Sequence, residues 1–213
     1  MINDIKVAFA FLTRIPINHK PDISIQRSAI WFPFVGTFIG LVSGFTYYGL
    51  NEIIPGLPAA ALTILVSALI TGGFHQDGLA DTFDGLVGGW NVEDRLRILK
   101  DSRHGTYGVL SIVLQIVIQV SLLSTLSPHN GLIALITAHT LARLVPIYFM
   151  MTPAVPSHEG MGATYTRSVR VRDVLLSTAL TVAILLPLIG AHLGLLFIKL
   201  AFIGGLFFYN FRV

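Results

Sequence analysis

Three aspartates in an apolar chain are the first residues with chemistry to offer. Asp77, Asp81 and Asp84 lie in GGFHQDGLADTFDGLVGGWNVEDRLRILKDSRHGTYG, residues 72–108. Spaced by four and then three, they fall within about 60° of arc on a helix turning about 100° per residue. Carboxylates on one face repel each other unless a cation lies among them, and such hard oxygen ligands suit Mg²⁺, with Mn²⁺ as an alternative. Magnesium keeps waters and shares its shell with substrate phosphates, so few protein ligands suffice. Asp101 is either a fourth metal ligand or a partner for Arg97. His75 stands just before the cluster, where it would hydrogen-bond a carboxylate or a phosphate. Glycines at 78, 85, 88 and 89 remove side-chain bulk around the aspartates.

The residues that follow carry the opposite charge. Asn91 with Asp94 three positions on reads as a helix N-cap, the helix running to about Asp101, with Glu93 and Arg97 as an i,i+4 pair. Lys100, Ser102 and Arg103 then enter a glycine-containing turn, His104 to Gly108. Cations beside a metal site are what a diphosphate requires, because they hold the oxygens the metal does not. The chemistry implied is metal-assisted phosphoryl transfer. Asp81, Asp84 and His75 are its candidate catalytic groups, Asp84 being the expected base. Asp77, Asp81, Asp84 and Asp101 are the metal candidates, and Lys100, Ser102 and Arg103 would bind substrate.

The elements that position these residues are membrane helices. Hydrophobic residues make up 54% of the 213 and charged residues 12%, about half the usual charged share, and the mean hydropathy is +0.75. Six apolar stretches, about 29–50, 57–74, 109–126, 131–151, 174–190 and 193–209, approach the roughly 20 residues that a helix needs to cross a bilayer. The fold class predicted is all-α: one polytopic membrane domain over 1–213, with an N-terminal segment 1–28 at the interface and an acidic catalytic segment 75–108 between spans two and three. Every Lys and Arg of the connecting segments falls on one side of this arrangement, and the turns 51–56, 127–130 and 191–192 carry none. Both termini and the acidic segment are therefore expected on the cytoplasmic face. A carboxylate at mid-bilayer costs roughly 2.5–3.5 kcal/mol on insertion scales, which also argues for the boundary. The basic residues are scattered and the net charge is only +3, so no nucleic acid is expected as a partner; the lipid bilayer is.

Other residues refine this picture. The segment 1–28 reads as an interfacial helix with Ile5, Phe9 and Leu12 toward lipid. Gly36, Gly40 and Gly44 form a small-residue ridge that lets another helix approach closely. Arg143 lies within the fourth span with His139 four residues earlier on the same face; it would bind phosphate or pair with an aspartate. Gln115 and Gln119 share a face and read as interhelical contacts. Lys199 would snorkel, and His158 with Glu159 is a weak metal pair. Without cysteine, thiolate zinc sites, disulfides and cysteine nucleophiles are excluded.

The pattern Gly-Gly-Phe-His75-x-Asp77-Gly-Leu-Ala-Asp81-x-x-Asp84-Gly, followed by Lys100-Asp-Ser-Arg103-x-Gly-Thr-x-Gly108, closely resembles the cobalamin synthase family, the adenosylcobinamide-GDP ribazoletransferases. Thr13-Arg14-Ile15-Pro16, Phe32-Pro33-x-Val35-Gly36 and Glu159-Gly160-Met161-Gly162 are similar to its other signatures. The resemblance implies a Mg²⁺-dependent enzyme of the inner membrane in cobalamin biosynthesis. It would join α-ribazole, or its 5′-phosphate, to adenosylcobinamide-GDP, releasing GMP. It also implies a Gly-Gly-x-Thr-Gly-Asp motif and a further hydrophobic helix, which would begin about where this sequence stops at Val213.

Two other readings compete. A phosphatidyltransferase acting on CDP-activated lipids also clusters aspartates on a helix, but the spacing and the Lys-Asp-Ser-Arg run favour the first. A cation or proton transporter would place acids at mid-membrane in two repeated halves, and no repeat is present in the sequence. Self-association into a homo-oligomer is compatible with all of these.

Overall fold

The computed structural model describes residues 1–18, 25–101, 103–150 and 169–190, with 192, 195, 196 and 199 beyond them. Ser102, His158, Glu159 and most of the expected sixth span lie outside the described residues. Among those described, all regular structure is helical: α1 (Ile2–Leu12), α2 (Ile25–Ala29), α3 (Phe32–Asn51), α4 (Leu57–Thr71), α5 (Phe74–Gly88), α6 (Val92–Ile98), α7 (Thr106–Ser124), α8 (Pro128–Phe149) and α9 (Val171–Ile189).

The bundle is organised on the pair α3 and α8. A methyl group added at Gly40 would lie 2.6 Å from the Ile136 Cα and 2.8 Å from the Leu135 carbonyl oxygen. One at Gly36 would collide with the His139 carbonyl, and one at Gly44 would press on Leu132. The glycine ridge thus does what its spacing predicts, bringing two backbones into contact without side chains between them. Thr37 and Thr140 join their hydroxyls across the same seam at 3.0 Å. At the far end the buried Tyr47 donates its hydroxyl to the carbonyls of Leu123 (2.6 Å) and Leu126 (2.9 Å), tying α3 to the end of α7.

Three helices, α7, α8 and α9, are long and apolar enough to cross a membrane, and α4 with α5 makes a fourth if that bent pair is one span. This is fewer than the six spans expected. The central α3 has 20 residues, but its glycines, hydroxyls and tyrosines dilute its apolarity. The sixth stretch is largely outside the described residues. The expected break after the second span is sharper than a loop: α4 and α5 meet at 91°. Gly72 and Gly73 make that corner with φ of 67° and 71°, a left-handed conformation that glycine adopts without steric cost.

The corner turns α5 away from the line of α4, and α5 packs against α6 and α7. Phe83 and Val87 are exposed on α5, and Trp90, just beyond it, is 93% exposed. Aromatic and aliphatic groups so placed suit the headgroup layer. The first helix differs from expectation in one respect. Leu12 does not face lipid; it is 3% exposed, in a core with Phe32, Ile39 and Leu144. Phe9 packs edge-on against Phe38, ring centres 5.1 Å apart. The aromatic face of α1 therefore docks on α3.

Candidate active site

The aspartates of α5 divide between two tasks. Asp77 lines the groove beside His104, and single ligand atoms of Asp77, Asp81 and His104 all lie within 4.8 Å of one another. His104 Nε2 is 3.5 Å from Asp77 and its Nδ1 is 3.9 Å from Asp81. Desolvation and then the neighbouring Asp77 hold the Asp81 carboxyl above the usual carboxylate range, with His104 opposing. Two carboxylates that repel each other beside an open groove have the chemistry to suit a divalent cation. His104 was not among the residues singled out from the sequence.

Asp84 does not join that group among the described residues. It is 7% exposed and accepts hydrogen bonds from the backbone N–H of Gly105 (2.7 Å) and of Gly108 (2.8 Å). Gly105 is the N-cap residue of α7 and Gly108 lies in its first turn, so Asp84 is an anionic cap supplied by another helix. A side chain at either glycine would strike the carboxylate, which explains the glycine spacing in that turn. In place of the single three-aspartate face expected, Asp77 and Asp81 gather beside His104 and Asp84 caps a helix. With both oxygens engaged and little access, Asp84 is also poorly placed as a base.

The expected cation grip is rearranged as well. Arg103 makes a two-pronged pair with Asp101, at 3.0 Å and 2.8 Å. That guanidinium holds the Asp101 carboxyl down to about 2. Asp101 is thus committed to Arg103 and stands apart from Asp77 and Asp81; neither the metal role nor a pairing with Arg97 describes it. Arg97 pairs with Asp94 at 2.9 Å in place of Glu93, while Asn91 caps α6 through the Asp94 N–H at 2.8 Å as expected. Lys100 is exposed on the turn after α6 and lines neither groove beside His104. His75 points away from the acids and, with Arg143, lines a cavity inside the bundle.

A groove of about 580 Å³ runs past Asp77 and His104, with Arg14, Thr13 and Gln76 on its other walls. Arg14 is placed there by its own backbone, whose N–H donates to the Ile70 carbonyl at 2.7 Å, and by the bare surface of Gly72 against its side chain. The sequence signal for Arg14 was its place in a short motif, where it counted only as one of the basic residues of the N-terminal segment. A second groove, about 510 Å³ and also lined by His104, lies between Asp84, Arg103 and Tyr107.

Apolar helices long enough to cross a membrane, with a carboxylate pair, an imidazole and an arginine gathered beside them, define an integral membrane protein with a polar groove. The chain belongs to the Cobalamin-5-phosphate synthase family, whose model matches residues 4–212. It is 36% identical to an adenosylcobinamide-GDP ribazoletransferase of Shewanella piezotolerans over 94% of this chain and 82% of that protein. Proteins of the same name from Shewanella sp. strain W3-18-1 and Shewanella baltica strain OS185 are 40% and 41% identical, over 68% and 65% of this chain. The chain spans 58% and 55% of the length of those two relatives. No solved structure matches it.

Proposed function

We propose that this protein transfers the adenosylcobinamide phosphate moiety from adenosylcobinamide-GDP to α-ribazole or its 5′-phosphate, in the inner membrane with the α5 face toward the cytoplasm. The observation that carries the reading is the cluster of Asp77, Asp81 and His104 beside a groove that Asp77 and His104 line together with Arg14. Asp77 and Asp81 would hold Mg²⁺ or Mn²⁺, since two hard oxygen donors on an open groove leave most of the shell to water and phosphate. Such an ion, when bound, supplies charge neutralisation for a diphosphate.

The protein's own groups account for the rest. Arg14 binds the diphosphate oxygens, a planar fork against a polyanion. The acceptor hydroxyl oxygen forms a bond to the phosphorus that bears the cobinamide arm. The bridging P–O bond breaks, and GMP departs with its electron pair. The hydroxyl proton passes to His104, whose ring edges the same groove.

The test uses membranes carrying the protein, adenosylcobinamide-GDP, α-ribazole and MgCl₂. GMP release matched mole for mole by corrinoid product supports the assignment; absence of both overturns it. Asp81→Asn should abolish turnover while the protein remains in the membrane, and retained turnover would remove the carboxylate pair from the mechanism.

A further inference from the structure

Inside the bundle, between α4, α7 and α8, lies a second cavity of about 580 Å³. Its polar side is made by Ser67, His75, Gln115, Gln119, His139 and Arg143, and its apolar side includes Leu122, Leu126 and Ala134. Among the described residues no Asp or Glu lines it. Arg143 is 5% exposed. Its Nη1 meets His139 Nδ1 at 3.0 Å, and the other ring nitrogen of His139 meets the Ser67 hydroxyl at 3.2 Å. Its Nε is buried without a hydrogen-bond partner among the described residues, as are the side-chain oxygens of Gln76 and Gln115.

These orphans specify a ligand. A guanidinium buried among uncharged groups is costly to hold without an anion. Amide oxygens only accept hydrogen bonds, so Gln76 and Gln115 call for donors. A sugar phosphate brings both, an anion for Arg143 and hydroxyls for the glutamines. Phosphatidylethanolamine brings the phosphate without hydroxyls, and phosphatidylglycerol, which has both, is distinguished by competition with anionic phospholipid. The leucine side then suits a flat apolar ring attached to the sugar. The cavity also adjoins the metal groove, because Thr71 and Gln76 line both.

We propose that this intramembrane cavity is the subsite for the acceptor in its phosphorylated form. Arg143 takes the 5′-phosphate, the glutamine oxygens take ribose hydroxyls, and the base lies against the leucines. This assignment rests on the reaction proposed above. It makes Arg143 a specificity-determining residue and lets the acceptor reach the groove from within the bundle.

The experiment measures binding of α-ribazole 5′-phosphate and of α-ribazole to the protein in zwitterionic-lipid nanodiscs, with chelator present so that no metal contributes. The wild type should bind the phosphorylated compound about 10- to 100-fold more tightly, the worth of charge-assisted hydrogen bonds to one guanidinium. Arg143→Gln should shrink that preference to about threefold or less, and Arg143→Lys should restore part of it. Ala138→Phe, at an exposed residue lining the cavity, should weaken both compounds together by filling the space. A wild type without preference, an Arg143→Gln variant that keeps it, or undiminished binding in Ala138→Phe each overturns the assignment. So does displacement of the phosphorylated compound by anionic phospholipid in place of free phosphomonoester, which would make the cavity a lipid site. Turnover separates the two readings: product from the wild type with an unchanged acceptor preference in Arg143→Gln sinks only the subsite. No product with either acceptor sinks the reaction, and the binding measurements still decide the cavity.

Discussion

Replacing Asp84 by Asn tests whether α5 carries one carboxylate site or two. The carboxylate is almost fully buried and its two oxygens receive the Gly105 and Gly108 N–H groups at 2.7 Å and 2.8 Å. Asparagine keeps the shape but turns one acceptor into an NH₂ that faces a backbone donor. The loss is one charge-assisted hydrogen bond, about 1.5–3 kcal/mol, plus the attraction of an anion to a helix N-terminus, about 0.3–1 kcal/mol. The stability loss should therefore total about 2–4 kcal/mol, read as a lower unfolding midpoint in detergent micelles. Mn²⁺ binding, followed by electron paramagnetic resonance, should persist in Asp84→Asn because the cation pair is elsewhere. Asp81→Asn should show the converse, a near-normal unfolding midpoint with Mn²⁺ binding lost. If Asp84→Asn loses the metal and keeps its stability, Asp84 is a ligand and the division of labour proposed for α5 is wrong.

Three further outcomes are expected. Gly40→Ala should cost about 1–3 kcal/mol through overpacking, because the added methyl meets the α8 backbone, whereas Gly49→Ala, with nothing within 4 Å of its methyl, should be neutral or stabilising; thermal unfolding of the two variants compares them. Arg14→Ala should raise the KM for adenosylcobinamide-GDP about 10- to 100-fold by removing a charged contact to its diphosphate, and an unchanged KM would take Arg14 out of the groove's function. The Asp101–Arg103 pair should survive acid until the pH falls through about 2, since an acid group with a depressed pKa is stabilised above its ordinary range and loses its partner only on protonation. In Arg103→Gln the carboxyl carbon of Asp101, followed by NMR, should titrate at a higher pH, and an unmoved midpoint would contradict the pairing.

Local spacing made some of this readable and tertiary geometry hid the rest. The glycine ridge of α3 was legible because three glycines at spacing four can serve only one face of one helix. The carboxylate face of α5 was legible for the same reason. What each carboxylate touches was not, because that depends on α5 crossing the first turn of α7, and no periodicity reports a crossing. Arg97 choosing Asp94 over Glu93 turned on side-chain geometry that sequence spacing alone does not resolve. His104 and Arg14 come from segments remote in sequence from Asp77 and meet it only through the bend at Gly72–Gly73. Arg143 and His139 could be paired from their spacing; that they border a cavity with no acid and with unpaired donors and acceptors among the described residues needed α4 and α7 in place.

The corner at Gly72–Gly73 fixes more than direction. A helix advances about 1.5 Å and turns about 100° with each residue, so the length of α4 sets both the depth at which α5 leaves the bundle and the way its faces point. One residue inserted into α4 would lift the corner by that rise and roll α5 by that angle, swinging Asp77 and Asp81 away from His104 and withdrawing Asp84 from α7, with every residue of the site unchanged. The distance of the chemistry from the lipid is thus written into the residue count of a helix that contributes no carboxylate to it.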